Sequence, residues 1–270
     1  MTRELNGREL QQFIKVRQLR QVRNLRQEHG IAPKLLIVMS KTASDVIAAY
    51  VRMKQRYARD ILIDVEIAAV EQSDMISTVQ QANDDASIQG IIVQLPLDDP
   101  AGTSEICNAI APEKDVDGLG EHAIFPSATA QAIDWLLAGY GVDLASKVIA
   151  IVGQGKLVGA PLAKLWGERG LNITVFDDQT PLCDMQRFDV IVTATGVPRL
   201  ITSDMVKSGA VVVDAGTASE HGKLIGDVDD SVRAMTHVTM TPKKGGVGPL
   251  TYTVLFDHLI EICLKRADKL

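Results

Sequence analysis

Tyr50 and Lys54 stand four residues apart in a stretch that reads as helix, so their side chains share one face. A phenol beside an amine is an acid–base pairing, and crowding or burial brings a lysine toward the neutral form that a general base needs. The same spacing also fits a lysine on the solvated face of an amphipathic helix, and chance supplies Y-x-x-x-K often. Gln94 closes the apolar run Gly90-Ile91-Ile92-Val93 and precedes Leu95-Pro96-Leu97. Open α/β sheets place their ligands at strand ends, where a glutamine either orients a neighbour by hydrogen bonding or caps the strand before a turn. Lys114-Asp115-Val116-Asp117-Gly118 sets two acids on alternate positions of a short loop. No His, Cys or third acid lies near them in sequence, so no metal site is expected.

The segment Ile151-Val152-Gly153-Gln154-Gly155-Lys156-Leu157-Val158-Gly159-Ala160-Pro161 follows the apolar run 148–152 and opens a helix through Trp166. Strand, glycine-rich turn and helix start together make a place for a pyrophosphate: the glycines let the backbone approach, and free N–H groups at the positive helix end face the anion. The G-x-G-x-x-x-G spacing departs from the common dinucleotide fingerprint, so a tight turn without a ligand is the other reading.

The elements that must position these residues alternate along the chain. Helix is expected over 9–28, 44–59, 74–83 and 129–140, and strand over 34–39, 61–68 and 90–94. A second strand series is expected at 148–152, 172–176, 189–193, 210–214 and 237–239, followed by a last helix over 251–265. Such alternation predicts parallel sheets covered by helices. With 270 residues the chain has room for one large or two modest domains, and at 4% aromatic content Val, Ile, Leu and Ala must build the core. The net charge of −6 gives no electrostatic case for nucleic acid, and the early basic residues Lys15, Arg17, Arg20, Arg23 and Arg26 fit a solvated helix face. Cys107, Cys183 and Cys263 lack paired metal spacing and read as reduced thiols of a cytoplasmic protein; neither a signal peptide nor a membrane span is expected.

Taken in order, these pieces resemble the bifunctional methylenetetrahydrofolate dehydrogenase/methenyltetrahydrofolate cyclohydrolase family. The resemblance runs over nearly the whole chain, from Leu5-Asn6-Gly7 through Tyr50-Val51-x-x-Lys54, Val93-Gln94-Leu95-Pro96-Leu97 and the 112–118 element. It continues with Val152-Gly153-x-x-x-x-Val158-Gly159-x-Pro161, Ala194-Thr195-Gly196, 209–216 and Gly226-Asp227-Val228, and closes with Thr241-Pro242-x-x-Gly245-Gly246-Val247-Gly248-Pro249-Leu250-Thr251. It implies an α/β catalytic domain over 1–126, completed by the helix at 250–270, and a Rossmann-type dinucleotide-binding domain over 127–249, with the active site in the cleft between them. It implies oxidation of 5,10-methylenetetrahydrofolate with a nicotinamide cofactor and hydrolysis of the methenyl product to 10-formyltetrahydrofolate, in a cytoplasmic homodimer. In the family pattern Lys54 is the acid–base residue, Gln94 positions it, Tyr50 packs on the folate and Asp117 holds the pterin. Leu95, Gly245, Gly246, Gly248, Pro249 and Thr251 complete the substrate site. Gly153, Gln154, Gly155, Lys156, Asp177, Asp178, Thr195, Gly196 and Thr217 form the cofactor site.

The chain departs from that pattern in several places. Gln154 stands for the usual arginine of the glycine loop, and Asp177-Asp178 for the usual His-Ser after the next strand. An acid there bonds a ribose 2′-hydroxyl and repels a phosphate, which predicts NAD over NADP, with Lys156 as a residual source of positive charge. Matching Tyr50 requires about one extra residue before it; setting Ser44 in register instead puts Ile47 and Val51 at the catalytic positions and implies an inactive protein. The Gly118–Pro126 connection is shorter than usual. Lys243-Lys244 replaces Val-Pro and reads either as an attractor for the glutamate tail of folate or as two solvated charges. The alternatives to the enzyme are a non-catalytic homologue that binds folate or dinucleotide, and another two-domain NAD enzyme of the amino-acid or shikimate dehydrogenase type.

Overall fold

Runs of branched apolar residues bounded by turn formers become the strands of this protein, whose structure is a computed structural model describing residues 3–216, 218–220 and 223–268. In chain order the first elements are β1 (Arg3–Glu4), α1 (Gly7–Glu28), β2 (Lys34–Ser40), α2 (Asp45–Asp60), β3 (Asp64–Val70), α3 (Met75–Asp84), β4 (Gly90–Val93) and α4 (Thr103–Asn108). There follow α5 (Ala128–Gly139), β5 (Ile149–Val152), α6 (Gly159–Glu168), β6 (Ile173–Phe176), β7 (Val190–Thr193) and β8 (Val211–Asp214). The last are β9 (Ala218–Glu220), β10 (Lys223–Ile225), α7 (Asp230–Arg233), β11 (Thr239–Met240) and α8 (Val247–Ala267). β3 starts later than the apolar pattern predicts, because the Ile61 N–H closes the end of α2 and Leu62 takes a left-handed φ of 63° before the chain extends.

Two compact units form: Met1–Gln11 with Thr129–Thr251, and Gln12–Ala128 with Tyr252–Leu270. The opening residues therefore depart from the expected 1–126 grouping. The reason is the open edge of β11, which takes β1 as a parallel partner, reinforced by the Leu5 N–H donating to the Met240 carbonyl at 2.8 Å.

The unit containing Thr129–Thr251 holds a six-stranded parallel sheet in the order β1-β11-β8-β7-β5-β6, and β9 pairs with β10 as an antiparallel hairpin. β5 has β6 on one side and β7 on the other, so the strand order reverses at β5 and its carboxyl end is the topological switch point. β5 and β7 are buried along their whole length, which is why they read as unbroken apolar runs.

In the other unit a three-stranded parallel sheet runs β3-β2-β4. Ser44 caps α2 by accepting from the Ile47 N–H, and Asp45 adds an acid to the first turn. A fully buried amide, Gln18 of α1, fixes α2 against α8. It accepts from the Tyr57 hydroxyl at 2.7 Å and donates to the Thr253 carbonyl at 2.9 Å and to Asp257 at 3.1 Å, while Tyr57 stacks on Phe256. α8 is long and apolar enough to cross a membrane, yet most of it is buried within the protein as a core helix.

Candidate functional site

Lys54, Gln94 and Asp117 come together from three separate stretches of sequence within one unit. α2 carries Lys54, and its phase is fixed by Val51, which is only 2% exposed in the core one turn earlier. In the register that would put Val51 at the lysine position, an apolar core residue would stand there; Lys54 instead reaches the end of β4. The Gln94 N–H bonds the Val38 carbonyl at 2.8 Å, extending the β4–β2 ladder by one residue. Its side-chain oxygen accepts from Lys54 Nζ at 2.6 Å, and its amide nitrogen donates to the Leu95 carbonyl at 2.8 Å. Tyr50 sits half-buried one turn before Lys54.

Alternate acids in the 114–118 loop have different surroundings. Lys114 is buried and donates to the carbonyls of Ala82, Asn83 and Asp85 at 2.7–2.8 Å, satisfying the end of α3. The Lys114 carbonyl accepts from the Ile91 N–H at 2.8 Å, so the loop is registered on β4, whose end bears Gln94. Asp115 turns back on its own loop and accepts from the N–H groups of Gly118 and Gly120 at 2.9 and 2.8 Å. Asp117 is left within electrostatic reach of Lys54. Burial pushes the Asp117 carboxyl up to about 6 against the pull of the Lys54 charge, with Asp115 adding repulsion. Burial also lowers the Lys54 amine from its ordinary value, and the Asp117 charge opposes that shift. The pair therefore titrates closer to neutrality than either group does alone in water.

At the switch point in the other unit, Gly153 has φ of 99°, and a Cβ there would lie 2.6 Å from the Ala194 carbonyl oxygen. A Cβ on Gly159 would lie 1.8 Å from the Gly153 carbonyl oxygen, so the turn and the start of α6 pack backbone to backbone. Val158 caps α6 without a side-chain hydrogen bond, and Gln154, Gly155 and Lys156 are exposed around it. This is a cradle that fits a dinucleotide pyrophosphate. Asp177 follows β6 directly. Its oxygen accepts from the Gln179 N–H at 3.1 Å and the Thr180 hydroxyl at 2.5 Å, bonds that hold the carboxyl below its ordinary range; Asp178 beside it is exposed. Thr195 and Gly196 form the turn after β7. Thr217 lies outside the described residues.

The Gly245–Thr251 loop opens α8, and the Gly245 carbonyl accepts from the Arg8 N–H at 3.1 Å. Gly246 is buried, Gly248 has open space around it, and the Pro249 carbonyl accepts from the Gln11 amide at 2.6 Å. Lys243 pairs with Asp230 at 2.6 Å, two exposed charges, and Lys244 is exposed beside it.

Three groups escaped the sequence reading. Asp227 is fully buried and takes both the N–H and the hydroxyl of Thr195, at 2.7 and 2.9 Å, plus the Thr193 hydroxyl at 2.8 Å, which fixes the turn after β7. Asp214 accepts from the Asp227 and Val228 N–H groups and pairs with Arg233 at 3.3 Å. His258, 2% exposed in α8, bonds the Val116 carbonyl. Only the 209–216 and Gly226-Asp227-Val228 elements carried any signal for these.

A parallel sheet with a glycine cradle at its switch point, together with a carboxylate–lysine–amide cluster at a strand end, defines an α/β enzyme of the dinucleotide-binding class. The chain matches the catalytic-domain model of tetrahydrofolate dehydrogenase/cyclohydrolase over residues 5–117 and the NAD(P)-binding-domain model over residues 127–267. It is 36% identical to Bifunctional protein FolD of Lacticaseibacillus casei over 290 residues, covering 99% of this chain and 100% of that protein. The crystal structure of the bifunctional FolD methylenetetrahydrofolate dehydrogenase/cyclohydrolase from Campylobacter jejuni aligns with a TM-score of 0.90 at 29% identity, covering 98% of this chain and 100% of that one. The Trypanosoma brucei dehydrogenase–cyclohydrolase, solved with NADP cofactor and inhibitor, aligns with a TM-score of 0.89 at 27% identity, covering 100% and 99%. This chain belongs to the tetrahydrofolate dehydrogenase/cyclohydrolase family. Its fold and NAD(P)-binding domain follow the family resemblance, and the amino-acid and shikimate dehydrogenase alternatives fall away.

Proposed function

We infer that this protein oxidises 5,10-methylenetetrahydrofolate to the 5,10-methenyl form and hydrolyses that form to 10-formyltetrahydrofolate. The observation that carries the reading is the Lys54–Gln94–Asp117 cluster: an amine held 2.6 Å from an amide oxygen, with a carboxyl whose charge acts on it, in a member of this family. A bound nicotinamide would supply a hydride acceptor for the methylene carbon. Hydride transfer removes a hydrogen with both its electrons, releases no proton and leaves a cation, so it asks for no base.

Hydrolysis does ask for one. Water adds to the methenyl carbon and gives up one proton; the remaining hydroxyl proton ends on N5 as the carbon–N5 bond opens, leaving a formyl group on N10. Burial favours the neutral Lys54 amine, and the cationic substrate favours it further. Gln94 ties one amine N–H, which leaves the nitrogen lone pair to take the proton from water. Asp117, ionised above about pH 6, binds the N–H donors of the pterin, and Tyr50 packs on the folate rings, with Leu95 beside them. The family resemblance assigns Gly245, Gly246, Gly248, Pro249 and Thr251 to substrate contacts as well. The unit of Gln12–Ala128 and Tyr252–Leu270 serves the folate chemistry, and the unit holding β5 serves the nucleotide.

Gly153, Gln154, Gly155 and Lys156 hold the dinucleotide phosphates, and the family resemblance assigns Thr195, Gly196 and Thr217 to the same cofactor. Asp177 stays anionic, and with Asp178 and Gln154 it disfavours a 2′-phosphate, so NAD is the preferred cofactor. The family resemblance also supports a cytoplasmic homodimer, which sedimentation of the purified protein would check.

Incubation with 5,10-methenyltetrahydrofolate in the absence of nucleotide tests the reading. Catalysed loss of the methenyl absorbance is expected, and decay at the buffer rate would refute it. Comparing kcat/KM for NAD and NADP tests the cofactor choice, and a clear NADP preference overturns that part.

A further inference from the structure

The loop that ends in Asp117 is tied to α8 by a residue with no part in the chemistry above. His258 is 2% exposed, and its Nδ1 lies 2.8 Å from the Val116 carbonyl oxygen. A carbonyl only accepts, so Nδ1 carries the proton in this bond. The imidazole lies flat against Phe125, with ring centroids 4.3 Å apart and planes 13° apart, which fixes the ring's orientation. Burial lowers its basicity, although Asp257 and Glu261 of the same helix oppose this. The ring is therefore a directed donor inside the core.

The Val116 carbonyl belongs to the same rigid peptide unit as the Asp117 nitrogen. Holding that oxygen fixes the plane from which the Asp117 side chain leaves. Upstream, the loop is fixed by the Ile91 bond to the Lys114 carbonyl at 2.8 Å, and downstream the Asp117 carbonyl accepts from the Ala128 N–H at 2.9 Å. Between these two backbone anchors, His258 fixes the Val116–Asp117 peptide.

We propose that His258 is a positioning residue for folate binding, aiming the Asp117 carboxylate through its hydrogen bond to the Val116 carbonyl. This rests on the reading that Asp117 holds the pterin.

The test compares His258→Phe with His258→Asn in the full-length protein. Phenylalanine keeps a flat ring against Phe125 and loses the donor; asparagine keeps a donor close to the position of Nδ1. Substrate KM is measured for both reactions, NAD KM for the dehydrogenase, and the thermal midpoint for every variant. For His258→Phe, folate KM should rise about tenfold, the loss of one well-aimed hydrogen bond, with NAD KM unchanged, and His258→Asn should recover most of it. On an Asp117→Asn background, His258→Phe should add little further, because His258 acts through that carboxylate.

Unaltered folate KM in a folded His258→Phe protein overturns the proposal. Equal impairment of both His258 variants also overturns it, since that marks packing and not the bond. If Asp117→Asn by itself leaves folate KM unchanged, the assignment of Asp117 falls and the proposal falls with it. Asp117→Asn impaired beside a normal His258→Phe removes His258 alone.

Discussion

Replacing Lys54 with methionine separates the two reactions. The side chains are similar in length and unbranched, and the surroundings that lower the Lys54 amine through burial accept a thioether readily, so the fold should persist. What disappears is the nitrogen 2.6 Å from the Gln94 oxygen. A positioned general base contributes about 10²–10⁴-fold, or about 3–5 kcal/mol of barrier, and hydrolysis of the methenyl form should slow by that factor. Hydride transfer releases no proton, so Lys54→Met should keep a measurable dehydrogenase rate and should accumulate methenyl product that wild type would clear. Stopped-flow absorbance resolves both species in one trace. Near-normal hydrolysis by Lys54→Met would refute the general-base role of Lys54. Equal loss of both reactions would also count against it, since that would make Lys54 a binding residue and not the base.

Asp117→Asn should raise the thermal midpoint near pH 7.5. The folded carboxyl is raised to about 6, so the cost of burying its charge is present above that pH and is relieved as pH falls through 6 toward 4. Melting curves from pH 5 to 8 should show the gap between wild type and variant closing on acidification, and a constant gap contradicts this. The same variant removes the charge that opposes the lowering of Lys54, so the rising limb of the hydrolysis pH profile should move to lower pH. Gly159→Ala forces a Cβ to within 1.8 Å of the Gly153 oxygen, so nucleotide affinity measured by calorimetry should collapse while nucleotide-free hydrolysis persists; unchanged affinity removes the cradle. The double change Gln154→Arg with Asp178→Ser should shift the NADP/NAD ratio of kcat/KM toward NADP by about tenfold or more, the effect of exchanging a repelling for an attracting charge. An unmoved ratio places the selectivity elsewhere.

The strands were legible because β2, β4, β5 and β7 are buried enough to read as continuous branched runs. β1 was not: Arg3 and Glu4 have no strand character of their own, and only the open edge of β11 recruits them. Lys54 and Gln94 stood out by spacing and by position at a strand end. Asp115 and Asp117 occupy equivalent places in the sequence pattern, and they diverge because the 118–120 backbone wraps one while the other interacts with the Lys54 charge. Lys114 caps a helix that ended 30 residues earlier in the chain, a relation no local pattern carries. His258 and Gln18 are polar residues in strongly patterned helices, and their partners on other elements exist only after the helices have packed.

Turnover of 5,10-methylenetetrahydrofolate with NAD by the wild-type protein, following reduced nucleotide and folate products together, tests the paired activities of this protein most directly. Reduced nucleotide and 10-formyltetrahydrofolate should form in equal amounts, with the methenyl form passing transiently between them. A protein that binds folate and nucleotide but yields neither product, or that stops at the methenyl form, would contradict that pairing.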